Sequence, residues 1–315
     1  MGRHRGTVLG VLVAVSIFPP VSGTALAQAW LPPKGEAILT LGWSYDWASH
    51  HLDYLGNIAS PGDMLFHLVI SDLSYGVTDR FAVGASLPFV VSKYGGNTPH
   101  APRPGAEPYD DGTWNRTFTD FRTEVRFRAT NGSLAVTPMA AVVVPSHLYE
   151  YIGHSAPGRK LREGQFGVSV GRTLDPILSR AYFQTRYIYV VTQKVAGIRP
   201  NRSEVSADLG YLVTNSFTVS AFGGYTRTHN GWRAPIDSPP PTHPNFEYHD
   251  QLRKGESVRL GVGLSYALTG SINVGVNGFK TLWGRSDFDM TGVALSVSYG
   301  FSPAQIMKRR KGPKA

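Results

Sequence analysis

Hydrophobic and polar side chains alternate along most of the chain after residue 35, in consecutive runs that end at Gly, Asn, Asp, Ser or Thr. A period of two predicts β-strands with one apolar and one polar face. The pattern therefore predicts an all-β fold of about twelve antiparallel strands. These lie at residues 36–48, 64–77, 81–94, 115–129, 133–145, 163–174, 180–192, 203–213, 217–229, 256–268, 272–282 and 287–301.

The connections between these strands alternate between short and long. Tight turns of turn-forming residues, such as Thr78-Asp79-Arg80 and Thr130-Asn131-Gly132, alternate with longer segments. The longer segments are 49–63, 95–114, 146–162, 193–202, 230–255 and a short 283–286. This arrangement is typical of transmembrane barrels, with short periplasmic turns and longer extracellular loops. We therefore predict a transmembrane antiparallel β-barrel over residues 28–301 with both termini in the periplasm.

Aromatic residues collect near the ends of the predicted strands, on their apolar faces. In a membrane barrel such residues form girdles at the two interfaces. The predicted girdle residues are Trp43, Tyr45, Trp47, Tyr75, Tyr187, Tyr211, Tyr266, Tyr299 and Phe301. The last predicted strand fits the same plan, because residues 292–301 have a fully apolar face and small residues opposite.

The polar faces contain charges of both signs. Each unpaired charge in a dry core costs several kcal/mol, so we expect this face to meet water. The predicted lumen residues are Glu36, Asp46, Asp72, Arg116, Asp120, Arg122, Glu124, Arg126, Arg128, Glu163, Gln165, Gln184, Arg186, Glu204, Asp208 and Arg259. Rows of arginine and carboxylate either narrow a water-filled channel or plug it. Salt bridges that only brace the barrel are an equally open interpretation.

The N-terminus has the features of a secretory signal peptide, predicted as residues 1–27. Arg3 and Arg5 precede an apolar run from Val8 to Phe18, and a small-residue site ends at Ala27. Residues 302–315 form a basic tail, so most of the net charge of +9 lies in the two terminal segments. The barrel region is therefore not basic enough to predict a nucleic-acid partner. The absence of cysteine excludes a disulfide framework.

The same residues suggest two alternatives to a channel, and they also raise the question of a metal site. A soluble secreted β-sandwich would bury the apolar faces in a core. An esterase or lipase would need a serine and a histidine that meet, but the Ser-His neighbours are adjacent in sequence and are expected to point apart. Metal ligands could meet in the loops, but loop histidines are usually solvated, so no metal or other cofactor is predicted. The histidine groups considered are His50, His51 and Asp53, and His243, His249 and Asp250.

Several blocks of the sequence resemble a known family of bacterial outer-membrane barrels, the MetA-pathway phenol-degradation family. The blocks are Ala29-Trp30-Leu31-Pro32-Pro33-Lys34-Gly35-Glu36, residues 73–80 running into 85–89, and Asp110-Asp111-Gly112 followed by Asp120-Phe121-Arg122. The resemblance implies an outer-membrane transporter for small aromatic or other hydrophobic compounds and carries no catalytic residues. One departure is the basic tail after Phe301, where such barrels often end on the aromatic residue.

The sequence thus predicts a non-enzymatic outer-membrane channel for small solutes. The alternative within the same fold is a plugged barrel with a structural or adhesive role. The expected partners are outer-membrane lipid and lipopolysaccharide, the barrel-assembly machinery and a small-molecule solute.

Overall fold

The computed structural model describes residues 29–97, 99–100, 102, 107–233, 236–240 and 242–304, with only the backbone of Ser60 and Pro61. The predicted signal peptide and residues 305–315 of the predicted tail lie outside the described residues. The strands are β1 Ala37–Leu52, β2 Ile58–Gly76, β3 Phe81–Tyr94, β4 Asn115–Phe118, β5 Asp120–Phe127, β6 Leu134–Pro145, β7 Glu163–Thr173, β8 Ala181–Thr192, β9 Arg202–Leu212, β10 Phe217–Thr228, β11 Glu256–Ala267, β12 Ile272–Arg285 and β13 Phe288–Phe301.

The strands form one closed antiparallel barrel. Strands that follow each other in sequence pair, except β4 and β5, and β1 pairs with β13 so that Ala37 lies opposite Phe301. The short strands β4 and β5 both pair with β3 and share one position, so the ring has twelve positions. Closure leaves no unpaired sheet edge, which is the condition for a sheet to cross a bilayer. The predicted fold class is confirmed.

The strand predicted at 115–129 is interrupted at Thr119. Phe89 pairs with Phe118 and Ser86 pairs with Arg122, so β4–β5 has one residue more than β3 over this stretch. Such a β-bulge reverses which face the side chains occupy. Arg116 therefore pairs with Val91 and is exposed on the outer face, so its assignment to the lumen was wrong.

The two ends of the barrel differ in their connections. The short-turn end consists of residues 77–80, 128–133, 174–180, 213–216 and 268–271, and the long-loop end of 53–57, 95–114, 146–162, 193–201, 229–255 and 286–287. The first long loop is shorter than predicted because β1 and β2 extend beyond the predicted strand ends. The longest loop contains a 3-10 helix, Pro244–Tyr248. Within the described part of the chain, no helix is long and apolar enough to span a bilayer.

The outer face of the barrel is apolar and exposed, with residues such as Leu41, Val125, Leu260 and Val297. All nine predicted girdle residues lie on this face. Tyr75, Tyr211, Tyr266, Tyr299 and Phe301 lie near the short-turn end, and Trp43, Tyr45, Trp47 and Tyr187 in the middle or long-loop half.

His67 is the centre of an aromatic cluster on the same outer face. Its ring stacks on Tyr45 and Trp43, with centroids 4.9 and 5.8 Å away. The Trp114 ring completes the cluster at 5.4 Å. A band of aromatic rings toward each end is the pattern that amphipathic rings adopt at two membrane interfaces.

Candidate functional site

Glu124 on β5 is the centre of a charged cluster on the inner face. Its carboxylate oxygens lie 2.6 Å from Arg122 Nη2 and 3.1 Å from Arg126 Nε, and Arg186 Nη2 is 3.7 Å away. Arg122 Nε also donates a hydrogen bond to Gln165 Oε1 at 3.1 Å. One buried carboxylate therefore faces three guanidinium groups from two strands.

A second charged cluster lies closer to the long-loop end and is centred on Arg202. Its guanidinium donates to both carboxylate oxygens of Glu163, at 2.5 and 2.9 Å, and its Nε donates to Glu204 Oε1 at 2.5 Å. Two carboxylates held by one bidentate arginine form a strong, directional contact. Sequence reasoning missed Arg202 because it placed the residue in the loop before the strand. We call the residues of both clusters the charged wall: Arg122, Glu124, Arg126, Glu163, Arg186, Arg202 and Glu204.

The opposite side of the inner face is apolar. We call this buried, contiguous set the apolar wall: Ala48, Met64, Phe66, Leu68, Ile70, Val90, Tyr94, Phe222, Phe279, Phe288 and Met290. It comes from β1, β2, β3, β10, β12 and β13, whereas the charged wall comes from β5, β7, β8 and β9. The prediction of a polar inner face all round was therefore incomplete. The sequence signal was residues 64–70, where apolar residues occupy both faces of the strand except at His67.

The other predicted lumen residues differ in their positions. Most are buried or half-buried on the inner face: Asp46, Asp72, Asp120, Gln184, Asp208 and Arg259. Ser44 Oγ donates to Asp46 Oδ2 at 3.2 Å, and Arg259 Nη2 lies 3.6 Å from Asp287 Oδ2. Asp46, Arg259 and Asp287 lie next to the apolar wall.

Two predicted lumen residues lie at the rim of the short-turn end instead. Glu36 is half-exposed just before β1, because the strand begins at Ala37. Arg128 follows the end of β5 and donates to the carbonyl oxygens of Thr130 and Gly132 in its own turn, at 3.1 and 3.3 Å. Both lie just outside the strands, so their assignment to the lumen stays a prediction.

The N-terminal segment, residues 29–35, crosses the inside of the barrel near the short-turn end. Ala29 is fully buried: its carbonyl accepts from Thr137 Oγ1 at 2.6 Å, and its N–H donates to Gln184 Oε1 at 3.4 Å. Trp30 contacts Tyr182 edge to face, with ring centroids 6.0 Å apart. The segment therefore spans from the end of β2 to β6, β7 and β8 and obstructs this end of the lumen.

Two glycines make room for the N-terminal segment. A Cβ atom at Gly76 would lie 2.2 Å from Pro33 O, and one at Gly171 would lie 2.6 Å from Ala29 Cβ. Contacts this short are impossible, so only glycine lets the segment pass against β2 and β7. No periodic pattern marks this segment in the sequence, and its path depends on contacts with distant strands.

The described residues of three long loops, 95–114, 146–162 and 229–255, lie at the other end, and we call them the cap. Asp110 is buried and accepts from His154 N at 2.7 Å and from Ser155 N and Oγ at 3.1 and 2.7 Å. Gln251 Nε2 donates to Arg159 O at 2.9 Å, and Arg159 donates back to Gln251 O. Side chains of one loop thus hold the backbone of another, and the cap is a packed unit.

The cap rests on the interior of the barrel. Tyr149 donates to Asp120 Oδ1 at 2.5 Å, and the His154 ring lies 4.8 Å from the Tyr94 ring at the edge of the apolar wall. A cavity of about 30 Å³ remains beneath it, beside Arg159 and Arg202. That volume is enough for a few water molecules. The described part of the cap therefore packs directly on the interior of the barrel.

Burial shifts the pKa of several cap residues. Burial lowers the pKa of Arg159 to about 9 and raises the pKa of Tyr149. Burial also lowers the pKa of His154 and His249 below the ordinary histidine value. Both imidazoles are therefore neutral at pH 7.

One group of possible metal ligands lies in the cap. It consists of His100, His249 and Asp250, whose ligand atoms all lie within 4.8 Å of one another. His249 and Asp250 belong to one of the histidine groups considered from the sequence. His100, from a different loop, was missed because sequence spacing cannot relate two loops.

The neighbours Ser146 and His147 do not form a catalytic triad. Ser146 Oγ lies 2.9 Å from His147 Nδ1, contrary to the expectation that such pairs point apart. The other ring nitrogen of His147 bonds the Thr117 hydroxyl at 2.9 Å, where a triad would have a carboxylate.

Comparisons with known proteins identify the fold. No protein-family model and no curated protein matches the chain, so the resemblance to the phenol-degradation family is not confirmed. The structure is similar to the COG4313 outer membrane channel from Pseudomonas putida F1, with a TM-score of 0.66 and 10% sequence identity over 89% of this chain and 100% of that chain. The chain has the fold of an outer-membrane β-barrel.

Two other solved structures match the chain with lower scores. The KdgM porin has a TM-score of 0.45 and 8% identity over 83% of this chain and 99% of that chain. The β domain of the Bordetella autotransporter BrkA has a TM-score of 0.47 and 11% identity over 84% and 99%.

Proposed function

We propose that the chain is an outer-membrane channel for small apolar or amphipathic solutes, which pass along the apolar wall. The observation that carries this proposal is the apolar wall itself. Water-filled barrels have polar interiors, whereas here six strands contribute buried apolar side chains to the inner face. An apolar molecule moving along them keeps its surface out of water, and the charged wall can contact its polar end.

In this proposal the barrel lies in the outer membrane of a Gram-negative bacterium. The signal peptide of residues 1–27 directs export, the barrel-assembly machinery inserts the strands, and the short-turn end lies in the periplasm. Lipid and lipopolysaccharide contact the outer face. Exposed Arg116 and Lys280 on that face fit the phosphate groups of lipopolysaccharide.

The resemblance to the phenol-degradation family supports small aromatic compounds as the solutes. Rings of Phe66, Phe222 and Phe279 line the apolar wall, and aromatic pairs add about 0.5–1.5 kcal/mol beyond the burial of their area. A ring-bearing solute therefore gains more along this wall than a sugar of the same size.

Uptake by intact cells tests this proposal. In a Gram-negative host depleted of its own porins, we expect the wild-type protein to raise uptake of a labelled small aromatic compound more than uptake of a sugar of similar size. Leu68→Asn and Phe66→Asn remove apolar contacts and should lower aromatic uptake on the order of tenfold. Ser169→Ala, at a buried position on β7, is the matched control and should leave it unchanged.

Folding of each variant is checked by its heat-modifiable migration on gels. Equal aromatic uptake by all folded variants, or a preference for the sugar, would contradict the proposal.

A plugged structural barrel is the second candidate, and the N-terminal segment and the cap, which contact the barrel interior near its two ends, favour it. It predicts that no solute crosses under any condition, including after removal of the N-terminal segment.

A further inference from the structure

His100, His249 and Asp250 bring their ligand atoms together at the long-loop end. The Nε2 atoms of the two histidines are 2.7 Å apart. Asp250 Oδ2 lies 3.5 Å from His100 Nε2, and Asp250 Oδ1 lies 3.6 Å from His249 Nε2. The three side chains come from two loops that are far apart in sequence.

The two residues of the longer loop are oriented for ligation. His249 Nδ1–H donates to Phe246 O at 2.5 Å, so the lone pair of a neutral ring is on Nε2, which points at His100. A backbone carbonyl bound to the second ring nitrogen is the usual support of a metal-binding histidine. Gly153 N donates to Asp250 Oδ2 at 3.1 Å and fixes the carboxylate.

Packing also holds the imidazole rings in place. The His249 ring stacks between Phe246 and His100, with centroids 4.2 and 4.6 Å away. The His100 backbone N–H donates to Asp110 Oδ2 at 3.2 Å, which anchors the first loop to the rest of the cap.

We propose that His100, His249 and Asp250 bind a divalent transition-metal ion, with Zn²⁺ as the best match, that joins two loops of the cap. Two imidazoles and a carboxylate suit Zn²⁺, which commonly takes three protein ligands and a water. Ligands at about 2.0–2.1 Å in a tetrahedron are about 3.3 Å apart, so the two Nε2 atoms separate by roughly 0.6 Å on binding. Each carboxylate oxygen of Asp250 already lies near that spacing from one of the two Nε2 atoms.

A bound ion would strengthen the closure of the long-loop end. It would tie the loop between β3 and β4 to the loop between β10 and β11, while Asp250 also holds Gly153 of the third loop. The metal site stands whether or not the barrel transports solutes, and its test needs no transport measurement.

Zinc binding to the folded protein in detergent tests the site. Competition with a fluorescent zinc chelator should give one Zn²⁺ per wild-type chain. His249→Ala and Asp250→Asn should each weaken binding at least tenfold, whereas the control His147→Ala, in an exposed histidine outside the cluster, should not. Unchanged affinity in both cluster variants, or no zinc uptake by the wild type, would overturn the proposal.

A second measurement uses the unaltered protein and avoids any folding defect of the variants. Co²⁺ in place of Zn²⁺ should give the visible absorption of a tetrahedral nitrogen–oxygen site, and excess Zn²⁺ should remove it. Added Zn²⁺ should also raise the unfolding temperature, and a chelator should reverse the rise. Octahedral, weak Co²⁺ absorption with no thermal shift would show that the cluster is only a hydrogen-bonded histidine pair.

Discussion

Glu124→Gln is expected to destabilise the folded barrel by about 3–5 kcal/mol, because it breaks buried ion pairs and leaves uncompensated charges inside. Without the carboxylate, Arg122, Arg126 and Arg186 lose the anion that they share, at 2.6, 3.1 and 3.7 Å. The glutamine has almost the same shape, so the loss is electrostatic. Urea unfolding of the protein in vesicles, followed by the loss of heat-modifiable migration, measures the free energy of unfolding.

Asp237→Asn is the matched control for this variant. It breaks the Arg233–Asp237 ion pair, with a contact of 2.6 Å, in an exposed loop where water screens the charges. We expect its unfolding curve to coincide with that of the wild type. An equally small effect of Glu124→Gln would mean that water solvates the three guanidinium groups. That result would contradict the burial of the charged wall.

Deletion of residues 29–34 is expected to raise ion conductance through the barrel on the order of tenfold, because a constriction inside a pore limits its conductance. The segment lies across the lumen at the short-turn end, held by Thr137 and Gln184. The deletion joins Gln28, which follows the predicted signal peptide, to Gly35 and removes no strand residue. Planar-bilayer recordings measure the change.

Two further variants separate obstruction from a general loosening of the barrel. Gly171→Leu keeps the segment but forces it away from β7, where a Cβ would lie 2.6 Å from Ala29 Cβ, so it should also raise conductance. Lys34→Ala alters an exposed side chain of the same segment and should not. Wild-type conductance in both the deletion and Gly171→Leu would favour the plugged structural barrel.

The twelve positions of the ring could be predicted from the sequence because side-chain alternation and turn residues are local signals. The bulge at Thr119 could not. From Asp120 to Arg128 charged residues recur at every second position, and Arg116 continues the same spacing, which hides the single extra residue. Only the pairing with β3 reveals it, because a bulge is a property of two strands.

The site was predictable on one side only. Arg and Glu at alternate positions mark the charged wall, since a row of charges on the lipid face would be destabilising. In residues 64–70, apolar residues occupy both faces of the strand, and either face could contact lipid. The pattern therefore could not assign Phe66 and Leu68 to the interior. The N-terminal segment and the cap have no period at all, and long-range contacts such as Ala29–Thr137 and Asp110–Ser155 determine their positions.

Photo-crosslinking with a small apolar aryl diazirine tests most directly whether solutes pass along the apolar wall. The protein is labelled in vesicles and the modified peptides are mapped by mass spectrometry. We predict labels at inner residues such as Leu68 and Phe222 that an excess of unlabelled aromatic compound removes, while labels at outer residues such as Leu73 and Leu260 remain. Labelling confined to the outer face would contradict the account.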